Sequence, residues 1–144
     1  MKIIIATLSV MLLLSLSACK TKGCMDIDAT NFDLDASKDC MCCQYEKVVF
    51  YSRSAGYYVS GVPYSLATYP VKLFIGTQEV GVISAFYPNG PGNPNLPGMV
   101  VYAPLPNEKK VEWYAKVTAT NGNFIILGSG TLYASKTTRY VPIF

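Results

Sequence analysis

The stretch "KVEWYAKVTA", residues 110–119, has the clearest strand pattern in the chain. Apolar and polar side chains alternate along it, which is the period of a β-strand that is buried on one face and solvated on the other. One face carries Val111, Trp113, Ala115 and Val117. The other carries Glu112, Tyr114, Lys116 and Thr118. The stretch therefore predicts a half-buried β-strand.

Shorter runs with strand character lie on both sides of this stretch. Turn signals such as Gly76-Thr77-Gln78 and Asn121-Gly122-Asn123 separate them, and no segment has a 3.6-residue period with helix caps. The runs cover residues 47–52, 69–76, 79–87, 98–103, 123–134 and 138–144.

About seven or eight short strands in about 100 residues predict an all-β fold. We expect a single small antiparallel β-sandwich, Ig-like or transthyretin-like, over residues 46–144, with a small barrel or a jelly roll as the alternatives. The core is predicted to contain Trp113, Val111, Val117, Phe50, Leu73, Ile75 and Val82.

The first 18 residues have the order of a secretory signal peptide. Met1-Lys2 is basic, residues 3–16 are almost wholly apolar, and small residues precede Cys19. A buried or membrane helix is the alternative, but the apolar run is shorter than the about 20 residues that span a bilayer. "LSAC", residues 16–19, resembles the lipobox of bacterial lipoproteins. This resemblance implies that residues 1–18 are removed and that Cys19 is lipidated and anchors the protein to a membrane.

Charge and composition argue against several function classes. From Gln44 onward, eight Lys and Arg residues stand against four Glu, which is too weak and scattered for a nucleic-acid surface. The chain has no histidine, the commonest general base and metal ligand, and no G-x-S-x-G or phosphate-binding loop. The domain's carboxylates are Glu46, Glu79, Glu108 and Glu112, of which Glu108 and Glu112 flank a turn and a strand start, an ordinary solvated setting. We expect no enzymatic activity, no cofactor and no nucleic-acid partner.

Residues 23–43 contain four cysteines and five aspartates. Export places the cysteines in an oxidising compartment, where disulfides persist, and four cysteines allow three pairings. Cys24 stands far from the group Cys40, Cys42 and Cys43, a spacing that fits zinc–thiolate sites poorly. Disulfides are therefore favoured. A redox or metal–thiolate site that uses Cys40, Cys42 and Cys43 is the alternative.

The run "GCMDIDATNFDLDASKDCMCCQY", residues 23–45, resembles a short cysteine-flanked module of secreted and surface proteins of Bacteroidota, GCxDxxAxN(Y/F). The matching positions are Gly23, Cys24, Asp26, Ala29, Asn31, Phe32, Ala36, Asp39, Cys43 and Tyr45. The resemblance implies a Cys24–Cys43 bridge. It leaves Cys40 and Cys42 to pair with each other in a small ring or to exchange with the first pair. Residues 19–45 are thus predicted to be a lipid anchor and a disulfide-pinned spacer.

The following domain resembles, more loosely, small β-sandwich modules of Bacteroidota lipoproteins. The features that carry the likeness are Phe50-Tyr51, the hairpin from Val71 to Ile83, and residues 128–131. The function of such modules is uncharacterised, so this resemblance implies a fold and no activity.

Clustered aspartates in the spacer suggest calcium, which prefers oxygen ligands. The candidate ligands are Asp26, Asp28, Asp33 and Asp35. The segment lacks the glycine and the distal glutamate of an EF-hand loop, and short acidic residues also cap turns in solvated loops. Turn formation is the favoured interpretation.

Two further features are candidates for partner recognition. Tyrosine, with its large face and polar tip, is concentrated at Tyr57, Tyr58, Tyr64 and Tyr69, which suits sugar or protein contacts, although strand faces also favour tyrosine. The loop "YPNGPGNPNLPG", residues 87–98, has prolines at every third position, the period of polyproline II. Gly90 and Gly92 oppose that helix, so a stiff connection is favoured over a ligand for a partner's groove.

Together these features predict a non-enzymatic, membrane-anchored envelope lipoprotein with a binding or structural module. A calcium-binding or glycan-binding adhesin-type module and a redox or metal–thiolate protein are the alternatives. Lys20, rather than an aspartate, follows Cys19, which by resemblance to lipoproteins of enteric bacteria favours the outer membrane.

Overall fold

The structure is a computed structural model that describes residues 21–119 and 121–144. The predicted signal peptide and Cys19 lie outside the described residues. The described part has no helix, and therefore none long and apolar enough to cross a membrane. Its strands are β1 (Lys22–Gly23), β2 (Lys38–Asp39), β3 (Val48–Tyr51), β4 (Gly56–Val59), β5 (Val62–Ser65), β6 (Val71–Ile75), β7 (Gln78–Ile83), β8 (Val100–Tyr102), β9 (Lys110–Thr118), β10 (Phe124–Tyr133) and β11 (Arg139–Pro142).

The largest sheet has four antiparallel strands in the order β10-β9-β6-β7. Strand β9, which covers nearly all of the alternating stretch at residues 110–119, lies inside this sheet. Val111, Ala115 and Val117 are buried on its inner face, and Trp113 packs against the core at its margin. The two-residue turn Gly76-Thr77 joins β6 to β7, where the sequence predicts a tight hairpin.

The second sheet has three strands in the order β11-β3-β8. Strand β3, "VVFY", lies between β11 and β8 and is buried along its whole length. Val48 and Phe50 of β3 share one core cluster with Leu73 and Ala115 of the first sheet. The predicted all-β fold is confirmed, and the facing sheets are consistent with a small β-sandwich.

The second sheet is mixed rather than wholly antiparallel. Strand β8 runs antiparallel to β3, whereas β11 runs parallel to it. Parallel neighbours need a long connection, and here nearly the whole domain lies between β3 and β11. An alternating pattern carries no information on strand direction, so the sequence could not predict this pairing.

Val82 corrects the predicted core. Its side chain is 38% exposed, while Ile83 is fully buried. Strand β7 pairs Gly81 with Leu73 on the inner face, and a register shift follows between Leu73 and Phe74. A displacement of one residue moves a side chain to the opposite face of a sheet. The remaining predicted core residues are buried or, for Trp113 and Ile75, packed against the buried cluster.

Strands β4 and β5 form a separate two-stranded hairpin that the sequence analysis missed. Ser60 and Gly61 connect them, with φ angles of 50° and 82°. Two consecutive positive φ angles are the mark of the type I′ turn, which suits the twist of a hairpin. The Ser-Gly dipeptide between two tyrosine-rich runs was the available signal.

Candidate functional site

The N-terminal segment, residues 21–45, docks on the sandwich through Asn107. The backbone N–H of Cys43 donates to Asn107 Oδ1 at 3.0 Å, and the backbone N–H of Asn107 donates to the Cys43 carbonyl at 2.8 Å. Asn107 Nδ2 also donates to the Met41 carbonyl. Asn107 has a φ of 65°, a conformation that asparagine tolerates better than most residues. The predicted spacer is thus folded against the domain.

The cysteines of this segment form two bridges that differ in exposure. Cys24 and Cys43 are bonded at 2.06 Å, and both are buried with Ala29 in a small apolar cluster. This confirms the bridge that the resemblance implies. Cys40 and Cys42 are bonded to each other around Met41, in a ring that reaches the surface. Cys42 is exposed, so solvent reaches this second bridge.

Three of the four calcium candidates use their carboxylates in other contacts. Lys109 Nζ lies 2.8 Å from Asp26 Oδ1 and 3.0 Å from Asp28 Oδ2, so an ammonium group stands between these two carboxylates. Asp33 Oδ1 instead accepts the Asp35 amide at 3.0 Å and closes a turn. Among residues 21–119 and 121–144, no three His, Cys, Asp or Glu side chains are grouped as a metal site. The carboxylates of Asp26 and Asp28 therefore act in docking, and that of Asp33 acts in a turn to which Asp35 contributes its backbone amide.

Electrostatics support the docking role of Asp26. The hydrogen bond from Lys109 lowers the pKa of Asp26, and Asp26 Oδ2 also accepts the Tyr45 hydroxyl at 2.8 Å. Burial, followed by the bond to Asp26, raises the pKa of Tyr45 to about 12. Asp26 thus joins its own segment to Lys109, which is 83 residues away along the chain.

Asp26→Asn is expected to destabilise the protein at pH 7 but not in strong acid. The folded state lowers the pKa of Asp26, so the carboxylate contributes stability above its unfolded pKa, near 4, and loses it as pH falls through the folded pKa. We expect the melting temperature of the variant to be lower by about 2–5 °C at pH 7, and the difference to shrink steadily as the pH falls toward 2.

Thermal unfolding between pH 2 and pH 7 measures this difference. Asp35→Asn is the matched control, because Asp35 is exposed and makes no ion pair within the described residues. Its melting temperature should follow the wild type throughout. A deficit in Asp26→Asn that does not change with pH would contradict an electrostatic origin.

The tyrosine candidates divide into two groups. Tyr57 is buried, and its hydroxyl donates to the Tyr69 carbonyl at 2.9 Å. Tyr64 stacks on Tyr57 with 5.8 Å between ring centroids and meets the edge of Tyr69 at 5.2 Å. These three rings close the core beneath the β4–β5 hairpin. Tyr58 points the opposite way, is 76% exposed, and is the only one of the four that faces solvent freely.

The proline-rich loop is folded back on itself. The Tyr87 hydroxyl donates to the Pro97 carbonyl at 2.5 Å, which ties the two ends of the loop together. Gly90 and Gly92 have φ angles of 84° and 62°, which polyproline II does not allow. The loop is therefore a compact connection between strands and not a polyproline II helix.

A concave surface at the end of the four-stranded sheet was missed by the sequence analysis. We call it the sheet-end groove. It consists of two adjoining depressions of about 350 and 450 Å³ that share Gly76 and Glu112. The first is also lined by Ile75, Gln78, Tyr102, Leu105, Glu108 and Lys110. The second is also lined by Trp113, Tyr114, Ile126, Ser129, Gly130 and Thr131.

Each charged group of the first depression has a hydrogen-bonding or ionic partner. Glu108 Oε2 accepts the Tyr102 hydroxyl at 2.6 Å and the Leu105 amide at 2.8 Å, which fixes the loop after β8. Burial and this bond to Glu108 together raise the pKa of Tyr102. Lys110 Nζ lies 2.5 Å from Glu112 Oε1 on the exposed rim between the two depressions.

The second depression adjoins an aromatic array on the outer face of the sheet. Tyr114 stacks on Phe74, with ring centroids 4.9 Å apart and an interplanar angle of 5°. Lys116 Nζ lies 4.0 Å from the Phe74 centroid and 4.1 Å from that of Phe124. Across the β9–β10 pairing, Ser129 lies opposite Tyr114 and Thr131 opposite Glu112. Hydroxyl groups and an aromatic ring thus line the same surface.

The sequence indicated part of this arrangement. Alternation along β9 placed Glu112 and Tyr114 on one face, but only the pairing with β10 brings Ser129 and Thr131 beside them. The lining combines hydroxyls, an amide, aromatic rings and charged groups.

No family model, no curated protein and no solved structure matches this chain.

Proposed function

We propose that the protein is a non-enzymatic lipoprotein of the bacterial envelope, anchored through Cys19, most simply in the outer membrane, and that its β-sandwich binds a partner at the sheet-end groove. The "LSAC" sequence at residues 16–19 carries the anchoring part. The groove carries the binding part, because it joins two depressions lined by polar and aromatic side chains.

The docked N-terminal segment supports a short tether. Lys22, the first residue of β1, follows Cys19 by three residues, a distance of at most about 10 Å in an extended chain. The Cys24–Cys43 bridge and the Asn107 hydrogen bonds then hold the segment on the sandwich. Lipid at Cys19 would therefore keep the sandwich close to the membrane surface.

The absence of histidine from the chain supports the non-enzymatic assignment, since it removes the commonest general base. Glu108 is hydrogen-bonded to Tyr102, and Glu112 is paired with Lys110, so both carboxylates of the groove already have partners.

Cys19→Ser is expected to abolish lipid attachment. Cells that express the full chain are labelled with a palmitate analogue, and the envelope is fractionated. The wild type should carry label and remain with the membranes, because several acyl chains at one residue anchor stably. The variant should carry no label.

The double variant Cys40→Ser/Cys42→Ser is the matched control, since it removes two other cysteines of the same segment, one half-buried and one exposed, and should keep full labelling. Label retained by Cys19→Ser, or lost in the control, would refute anchoring through Cys19.

A second candidate function is thiol–disulfide exchange. The observation that favours it is the solvent-exposed Cys40–Cys42 bridge, which contrasts with the buried Cys24–Cys43 bridge. Exposed disulfides in small rings are the more readily reduced kind. The order in which mild reductant opens the two bridges tests whether the Cys40–Cys42 bridge is readily reduced.

A further inference from the structure

We infer that the sheet-end groove takes an uncharged glycan, a chain of neutral sugar units, as its ligand. This inference rests on the proposed binding function and adds the class of ligand. It places recognition on the β6–β7 turn and on strands β9 and β10, not on the tyrosine-rich β4–β5 hairpin where the sequence suggested it.

The first argument is the set of polar groups that line the groove. The Gln78 amide and the hydroxyls of Tyr114, Ser129 and Thr131 make no hydrogen bond to another described residue. Amides and hydroxyls both donate and accept hydrogen bonds. A ligand that presents many hydroxyl groups in both roles can satisfy them, and a sugar chain is such a ligand.

The second argument is the aromatic wall. Tyr114 lines the groove while its ring is stacked on Phe74, so it loses little conformational freedom when a ligand binds. Trp113 and Ile126 add apolar surface to the same depression. Sugar rings have an apolar C–H face beside their hydroxyls, and a fixed aromatic ring with neighbouring polar groups complements both.

The third argument is charge balance. Glu112 is paired with Lys110, whereas Glu108 accepts hydrogen bonds from the neutral Tyr102 hydroxyl and Leu105 amide and keeps its negative charge. The nearby Lys116 ammonium lies against the rings of Phe74 and Phe124 and keeps its positive charge, so two cations stand against two carboxylates at and beside the groove. A strongly anionic ligand would need an excess of cations, and a cationic one would need an excess of carboxylates. Neutral sugars need neither.

The fourth argument is shape. Each depression falls within or near the range of about 300–1,000 Å³ that is usual for small-ligand sites. The two meet at Gly76 and Glu112, so the groove is longer than one compact pocket. An extended ligand with repeating units fits such a surface better than a single small molecule.

Calorimetric titration of the full-length, detergent-purified protein with neutral oligosaccharides of glucose, mannose and xylose tests the inference. We expect binding to at least one series. Tyr114→Ala should weaken it at least tenfold, because the aromatic wall is lost. Thr131→Val should weaken it several-fold, because the change keeps the side-chain shape and removes one hydroxyl. Thermal unfolding checks that both variants remain folded.

Tyr58→Ala is the matched control, an exposed tyrosine away from the groove, and should bind as the wild type does. Loss of binding in Tyr58→Ala with retention in Tyr114→Ala would move the site to the β4–β5 hairpin and overturn the inference. So would binding to none of the neutral series. A photo-crosslinking amino acid placed at position 129 and activated in cells separates failure of the glycan inference from failure of the proposed binding function. A crosslinked protein would keep the groove as a binding site with another class of ligand, and no crosslink of any kind would also count against the binding function.

Discussion

Phe50→Ala is expected to lower the free energy of unfolding by about 3–5 kcal/mol, the usual cost of truncating a fully buried phenylalanine. Phe50 lies in the middle of β3 with no exposed surface. Its ring centroid is 5.4 Å from that of Trp113, so it contacts the opposite sheet. Alanine would leave a cavity between the two sheets and would remove this aromatic contact.

Urea unfolding measures the effect, and Phe124→Ala is the matched control. Phe124 is also a strand phenylalanine, but it is 64% exposed and its main contact is with Lys116. We expect its replacement to cost about 1 kcal/mol or less. Equal costs for the two variants would mean that the sheets do not share the core described above.

The double variant Cys24→Ser/Cys43→Ser is expected to lose about 3 kcal/mol, since the bridge closes a loop with a sequence separation of 19. The loss should fall on the N-terminal segment, because both sulfurs belong to its small apolar cluster. Cys40→Ser/Cys42→Ser should cost much less, because that ring is small and lies at the surface. Hydrogen exchange of residues 21–45 would distinguish local opening from global unfolding.

The two bridges should also differ in the order of their reduction. We expect no free thiols at residues 24–43 in the untreated protein. Mild reductant should release the thiols of Cys40 and Cys42 first, because reductant reaches that bridge through solvent, whereas Cys24 and Cys43 are buried. Alkylation followed by mass spectrometry of the peptides gives the order. Four reactive thiols before treatment, or stoichiometric zinc, would contradict the disulfide assignment and favour a metal–thiolate site.

Much of the sandwich could be predicted from sequence because strand signals are local. The alternation in residues 110–119 and the turn at Gly76-Thr77 each depend on neighbouring residues only, and the structure contains both features. The β4–β5 hairpin was missed because its Ser-Gly turn lies in a run that we interpreted by its tyrosines. Val82 was misassigned because an apolar run does not specify which face is inside after a register shift.

The candidate site was less predictable than the fold. Resemblance implied the Cys24–Cys43 bridge, but no local pattern connects Asp26 to Lys109 or indicates that an ammonium group would stand between two proposed calcium ligands. The sheet-end groove likewise combines side chains from the β6–β7 turn, the loop after β8, and strands β9 and β10.

By itself, the sequence determined the all-β class, the position of most strands, and the inner and outer faces of β9, and it predicts a signal peptide with lipid attachment at Cys19. These features follow from periodicity, turn chemistry and short motifs, whose causes act within a few residues. Only the tertiary structure decided the parallel pairing of β11 with β3, the docking of residues 21–45, and the groove where Thr131 meets Glu112. Those features depend on register and packing between distant segments. The free energy of strand pairing there depends on the neighbouring strands and side chains, and not on the composition of the strand alone.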